Sequence, residues 1–213
     1  MKTAKVMIFN KRKGLFFHLV NKWNEIGSCA CQSRGIFNAA VSGGKSPRPF
    51  FTQLSQNKEI NFWDKTHIFM VDERFISPYH KDSNQRMFRE HLISKIDIPL
   101  KYFHSVPIRN DVFQSAREYE QELKYYFKLK KEEYPVFDLI LLGIGKDGHT
   151  ASLFPNHQNL TDIKNLITAE SVPHLNYQRI SLTLRVINHS RNVIFLVTGK
   201  EKASIMYQIL IKK

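Results

Sequence analysis

The chain has 213 residues, of which 42% are hydrophobic and 24% charged, so the composition predicts one globular domain over residues 1–213 and argues against intrinsic disorder. The formal net charge of +13 is scattered, with no zinc-finger spacing or RNA-recognition signature beside it, so we expect neither nucleic acid nor a membrane as a partner. We interpret it as a basic, solvated surface whose positive field would also attract small phosphorylated substrates.

Short apolar runs alternate with longer amphipathic segments along the chain. The pattern predicts strands at residues 6–9, 36–41, 67–71, 137–142, 180–184 and 193–197. It predicts helices between them at 15–26, 47–54, 84–93 and 111–131, and a last helix at 200–211. The helix at 47–54 is expected to have Ser46 as N-cap and Pro47 as first residue. Apolar strands separated by helices predict an α/β fold, a doubly wound, mostly parallel sheet with helices on both faces, as in Rossmann-like proteins.

The cysteine content and the lengths of the apolar runs limit where the protein can reside and which sites it can carry. The two cysteines, Cys29 and Cys31, form an isolated C-x-C pair, which predicts ordinary thiols in a reducing compartment and no metal site. Charges interrupt residues 1–13, and no run approaches the ~18 apolar residues that a membrane span needs, so we expect a cytoplasmic protein.

Glycine-rich or charged turns follow three of the predicted strands, and doubly wound sheets bind ligands beyond the carboxyl ends of their strands. The first turn comprises Ser42, Gly43, Gly44, Lys45 and Ser46. Its backbone N–H groups, at the positive end of a helix, are predicted to bind a phosphate. The same residues also fit a permissive Walker A pattern, which we disfavour because the predicted strand leaves only a short turn and Pro47 removes an N–H.

The second and third turns carry charged and titratable side chains. Asp72, Glu73 and Arg74 follow the strand at 67–71, and the Arg74 guanidinium suits an oxyanion or a carboxylate. The third turn, residues 143–149, places Asp147 and His149 two residues apart among glycines. Such a histidine can take a proton from water, and the carboxylate can orient its ring.

These segments resemble the 6-phosphogluconolactonases, within a wider group that includes the glucosamine-6-phosphate deaminases. The resemblance begins near Ile36 and rests on residues 42–47, 71–74, 82–84, 137–155, 179–183 and 198–203, of which 137–155 is the most specific. It implies a single lactonase-like domain that hydrolyses 6-phosphogluconolactone without a cofactor, and it leaves monomer and homodimer both open.

The resemblance also implies roles for individual residues. His149 would be the general base, Asp147 would shape the site, and Arg74 would meet the carbonyl oxygen or the product carboxylate. Phosphate would be held by Gly43, Gly44, Arg179 and Lys202. The remaining predicted substrate-binding residues are Ser42, Lys45, Ser46, Asp72, Glu73, Asn84, Gly145 and Gly148.

Two alternatives share parts of this pattern. Amino-sugar-phosphate deaminases have a similar Asp-Gly-His turn but place a catalytic Glu where this chain has Phe154, which favours hydrolysis. A non-catalytic sugar-phosphate sensor normally carries a DNA-binding domain, for which there is no room before Ile36.

Overall fold

The computed structural model describes residues 4–162, 164–171 and 176–211. Its strands are β1 (Phe37–Val41), β2 (Thr66–Met70), β3 (Asp72–Arg74), β4 (Phe103–His104), β5 (Leu139–Leu142), β6 (Ile167–Glu170), β7 (Arg179–Leu182) and β8 (Val193–Phe195). Its α-helices are α1 (Arg12–Arg34), α2 (Arg48–Ser55), α3 (Asn84–His91), α4 (Val112–Tyr126), α5 (Leu184–Asn188) and α6 (Ala203–Leu210).

Five of the strands form a parallel sheet in the order β4-β2-β1-β5-β8. Consecutive residues of the central strand show that helices cover both faces. The Phe37 ring packs edge-on against Trp23 of α1, with 5.1 Å between the ring centroids, whereas the neighbouring Asn38 accepts a 2.7 Å hydrogen bond from Tyr126 of α4. The predicted α/β fold with a doubly wound, mostly parallel sheet is therefore confirmed.

The other three strands form a separate antiparallel sheet in the order β3-β7-β6. The predictions of a charged turn at residues 72–74 and of no strand at the position of β6 were wrong. Residues 72–74 instead form β3, because the chain continues in extended conformation after one intervening residue and pairs with β7. The strand predicted at 180–184 corresponds to β7 of this sheet and stands outside the parallel one.

Several predicted element bounds were wrong for local reasons. Residues 6–9 form no strand, and Ile8 is 89% exposed, so this segment has no sheet partner among the described residues. Helix α2 begins at Arg48 with Pro47 as its N-cap, one residue later than predicted, so Ser46 is not the cap. Helix α4 ends at Tyr126, since Lys128 has the left-handed φ of 52° that stops a helix.

Other helices differ from their predicted bounds in length. Helix α1 extends to Arg34, where Gly35 adopts φ 75° and its N–H donates to the Cys31 carbonyl. The segment predicted as a helix at 200–211 begins with a 3-10 turn at Lys200–Lys202 before α6. None of the helices in the described part of the chain is long and apolar enough to cross a membrane.

An aromatic cluster joins α1 to the parallel sheet. Phe37 is fully buried between Trp23 and Phe62, whose ring centroids lie 5.1 and 6.1 Å from its own. Phe37→Ala removes these contacts and leaves a cavity, so we expect it to lower the free energy of unfolding by about 3–5 kcal/mol. Urea denaturation measures the change.

Phe113→Ala is the matched control for this prediction. Phe113 lies on α4 and is 57% exposed, so the same truncation should change the free energy of unfolding by less than about 0.5 kcal/mol. Equal losses in the two variants would contradict the proposed packing of α1 on β1.

Candidate active site

The first and third turns meet where the sheet changes direction. From β1 the chain builds outward through β2 to β4, then returns to β5 on the other side of β1 and continues to β8. The loops after β1 and β5 therefore begin on neighbouring strands and lead toward opposite edges of the sheet. Where the two loops begin, the Ser42 N–H donates a 2.9 Å hydrogen bond to the Leu141 carbonyl. Such a switch point is where doubly wound proteins bind ligands.

Asp147 and His149 form a hydrogen-bonded pair on the turn after β5. One Asp147 carboxylate oxygen lies 2.6 Å from His149 Nδ1, so the ring donates from Nδ1. Desolvation alone would raise the pKa of Asp147, but the charge of His149 and its hydrogen bonds outweigh it and lower the pKa. His149 Nε2 has no hydrogen-bond partner among the described residues, and a third of the side chain is exposed, so Nε2 can accept a proton from water.

Two glycines allow this pair to form. A Cβ on Gly145 would lie 2.2 Å from His149 Nδ1 and 2.4 Å from the Asp147 oxygen, so only glycine fits beneath the pair. Gly148 adopts φ 89°, and a Cβ there would approach Ile205 of α6 to 3.2 Å. The start of α6, which follows Lys202, therefore packs beside the His149 turn.

Buried polar contacts anchor the His149 turn to the antiparallel sheet. The Ser152 hydroxyl donates a 2.8 Å hydrogen bond to Asp72 of β3, and the Ser152 N–H donates to the Ser181 hydroxyl of β7 at 3.2 Å. The Phe154 ring packs on the His149 imidazole with 4.5 Å between centroids. No local sequence pattern predicts the hydrogen bond between Ser152 and Asp72, because the two residues are 80 positions apart.

Two arginines lie side by side on the face of the antiparallel sheet that carries Asp72. Arg74 of β3 is directly opposite Arg179 of β7, an arrangement that like charges disfavour. Arg179 donates to the Tyr177 carbonyl at 2.6 Å and Arg74 to the Asp82 carbonyl, but neither forms an ion pair with any residue that the structure describes. Burial, and next the charge of Arg74, lower the pKa of Arg179. A bound anion would relieve this repulsion.

The Glu73 side chain is buried beneath the start of α3 and stabilises the fold there. Its carboxylate is fully buried and accepts hydrogen bonds from the backbone N–H groups of Arg74, Asn84 and Gln85 and from the Ser83 hydroxyl, at 2.7–3.0 Å. Burial raises the pKa of Glu73, and these hydrogen bonds oppose the shift. The carboxylate therefore fixes the start of α3 and has no exposed atom to offer a substrate.

Asn84 connects the second turn to the first. Its amide donates to the Asp72 carbonyl at 3.0 Å, and a Cβ on Gly43 would lie 2.2 Å from its side-chain oxygen. The glycine at position 43 thus lets the turn after β1 close onto β3. The Ser42 hydroxyl is buried nearby without a hydrogen-bond partner among the described residues.

The other predicted substrate-binding residues are more open. Gly44 has φ 106° and free space around it, Lys45 is exposed, and Ser46 is half-buried in the turn before α2. Lys202 is half-buried after β8, the strand next to β5. Substrate contact by these residues stays a prediction. Over residues 4–162, 164–171 and 176–211, no three His, Cys, Asp or Glu side chains are grouped to hold a metal ion.

Comparison with known proteins gives one consistent result. The model of the family described as glucosamine-6-phosphate isomerases/6-phosphogluconolactonase matches residues 10–213. The chain is 41% identical to a 6-phosphogluconolactonase of Synechocystis sp. over 181 residues, which are 84% of this chain and 74% of that protein. It is 39% identical to a 6-phosphogluconolactonase of Nostoc sp., with the same coverage of both chains.

Solved structures agree with the sequence relatives. The 6-phosphogluconolactonase of Thermotoga maritima superposes with a TM-score of 0.83 at 29% identity, covering 94% of this chain and 87% of that one. The enzyme of Trypanosoma cruzi superposes with a TM-score of 0.88 at 26% identity, covering 99% of this chain and 86% of that one.

The buried hydrogen bonds of Glu73 generate a prediction about stability. In Glu73→Gln an amide group replaces one carboxylate oxygen and faces N–H donors, so we expect the free energy of unfolding to fall by about 1–3 kcal/mol. Glu90→Gln is the control, since Glu90 is exposed on α3, the helix whose start Glu73 binds, and its carboxylate forms an exposed ion pair with Arg86. Chemical denaturation of both variants checks this, and equal stability of the Glu73 variant and the wild type would contradict the assignment.

Proposed function

The chain belongs to the glucosamine-6-phosphate isomerase/6-phosphogluconolactonase family, and we propose that it acts in that family as a lactonase. The reaction is the hydrolysis of 6-phospho-D-glucono-1,5-lactone to 6-phospho-D-gluconate, the second step of the oxidative pentose phosphate pathway. Relatives named 6-phosphogluconolactonase at 41% and 39% identity support this assignment. The observation that carries the mechanism is the Asp147–His149 pair, in which Nδ1 is bound and Nε2 has no hydrogen-bond partner among the described residues.

His149 acts as the general base in this mechanism. Its Nε2 takes a proton from a water molecule, and the water oxygen attacks the lactone carbonyl carbon. The tetrahedral intermediate then collapses, the bond to the ring oxygen breaks, and the imidazolium returns the proton to that oxygen. Asp147 stabilises the imidazolium through its 2.6 Å hydrogen bond. Catalysis of this kind contributes roughly 10²–10⁴-fold, and no cofactor is needed.

The two arginines supply positive charge for an anionic substrate. We assign Arg74 to the carbonyl oxygen, where negative charge develops, and to the carboxylate of the product. We assign Arg179 to the phosphate, together with Lys202 and the backbone N–H groups of Gly43 and Gly44. The repulsion between Arg74 and Arg179, which are opposite each other in the sheet and which the charges of Asp72 and Glu73 only partly offset, supports an anion at this place.

Phe154 favours hydrolysis over deamination. It stands where the related deaminases carry a catalytic Glu, and its ring is 4% exposed and packed on His149. A carboxylate is therefore missing from the position where proton transfer between C2 and C1 of an amino sugar would need it. The Walker A alternative loses support as well, because β1 continues through Val41 and leaves only a short turn.

Replacing the base tests the proposal directly. We expect His149→Ala to lower kcat on freshly generated 6-phosphogluconolactone by roughly 10²–10⁴-fold, because the Asp147 carboxylate that remains on the turn is a much weaker base than an imidazole. A coupled assay corrected for spontaneous hydrolysis measures the rate. His189→Ala, at an exposed histidine beyond α5, should keep wild-type activity. Retained turnover in the His149 variant would sink the general-base assignment.

The glycines of the turn give a finer test of the pair's geometry. Gly145→Ala places a methyl group 2.2 Å from His149 Nδ1 and separates it from Asp147, so we expect kcat to fall at least roughly tenfold. Gly143→Ala is two residues away on the same turn and meets no atom within 4 Å, so its kcat should stay near that of the wild type. Similar rates for both variants would contradict a role for the Asp147–His149 contact.

A further inference from the structure

A third charged residue shares the row of the two arginines. Arg179 on β7 lies directly opposite Glu170 of β6 on one side and directly opposite Arg74 of β3 on the other. Residues directly opposite each other project their side chains from the same face of a sheet. A carboxylate is therefore one strand away from the arginine that we assign to the phosphate, and opposite charges so placed normally pair.

Glu170 does not pair with Arg179. One carboxylate oxygen accepts a 2.5 Å hydrogen bond from His157 Nδ1, and the other accepts a hydrogen bond from the Asn159 side-chain amide. The Glu170 side chain is only 16% exposed, and Arg179 lies beyond ion-pair distance of it. Both carboxylate oxygens are thus turned toward residues 157 and 159 and away from the arginine row.

The residues that hold Glu170 belong to the segment that carries the general base. The Asn159 amide also donates to the Ser152 carbonyl at 3.2 Å, and the His157 N–H donates to the Phe154 carbonyl at 3.3 Å. Phe154 in turn packs on His149. The same short stretch of chain therefore positions His149 and fixes the direction of the Glu170 carboxylate.

We propose that His157 and Asn159 are positioning residues that hold the Glu170 carboxylate away from Arg179 and so keep this arginine available for the substrate's phosphate. If Glu170 turned toward Arg179, it would neutralise the guanidinium and repel a dianionic phosphate at close range. Both effects are strong in a half-buried site, where water screens charges poorly. The proposal rests on the proposed lactonase function and on the phosphate role of Arg179.

The test removes the hydrogen bond and then the charge. His157→Phe keeps a ring against Phe154 but loses the donor to Glu170, so we expect KM for 6-phosphogluconolactone to rise about tenfold while kcat changes less than about twofold. KM for unphosphorylated glucono-δ-lactone should not change. Adding Glu170→Gln to the same chain removes the competing charge and should return KM to the wild-type value. Glu170→Gln alone should leave KM unchanged or lower it.

Calorimetric titration with inorganic phosphate separates this inference from the proposed function. The affinity for phosphate should fall about tenfold in His157→Phe and recover in the double variant, whether or not the wild type turns over the lactone. Absence of lactone turnover in the wild type would refute the function, and the phosphate series would still decide on Glu170.

Three outcomes would overturn the inference. They are an unchanged KM and phosphate affinity in His157→Phe, a defect that Glu170→Gln does not reverse, and a raised KM in Glu170→Gln alone. If His157→Phe fails to fold, Asn159→Leu with and without Glu170→Gln takes its place, because Asn159 holds the other carboxylate oxygen. The same three outcomes then apply to Asn159→Leu and to its double variant with Glu170→Gln.

Discussion

The hydrogen bond between the Ser152 hydroxyl and the Asp72 carboxylate is the contact on which the site depends. Both groups are buried, and they join the turn after β5 of the parallel sheet to β3 of the antiparallel sheet. The turn carries His149, and β3 carries Arg74. Together with the hydrogen bond from the Ser152 N–H to the Ser181 hydroxyl of β7, this contact holds the turn with His149 against the strands that carry Arg74 and Arg179.

Each carboxylate near the site accepts hydrogen bonds from neighbouring residues of the protein. Glu73 accepts hydrogen bonds from backbone N–H groups at the start of α3, and Asp72 accepts one from the Ser152 hydroxyl. Asp147 is hydrogen-bonded to His149, and Glu170 accepts hydrogen bonds from His157 and Asn159. Among the described residues, Arg74 and Arg179 therefore form no ion pair with these carboxylates, and under the proposed function their charge serves the substrate. An anionic substrate needs such an arrangement, because any free carboxylate on this face would compete with it for the guanidinium groups.

The chemistry and the main sheet could be predicted from the sequence. Apolar runs at residues 36–41, 67–71 and 137–142 correspond to β1, β2 and β5, because continuous apolar strands are buried on both faces in any parallel sheet. The Asp147 and His149 pair could also be predicted, since two residues so close in sequence on a glycine turn meet through local geometry alone. The ends of helices depend on single residues, such as Pro47 and Gly35, and the predicted ends differ from the observed ones by up to eight positions.

The antiparallel sheet and its contacts were decided only by the tertiary structure. β3 is three charged residues long and pairs with a strand more than 100 positions away, so its sequence carries no strand signal. β6 pairs with β7 over a short separation, but its four residues are too few to show an alternating pattern. The sequence by itself determined which groups are candidates for the proposed chemistry, namely His149, Asp147 and the two arginines. The tertiary structure decided how those groups are placed, because strand register brings Arg74, Arg179 and Glu170 into one row, and hydrogen bonds from His157 and Asn159 hold the Glu170 carboxylate.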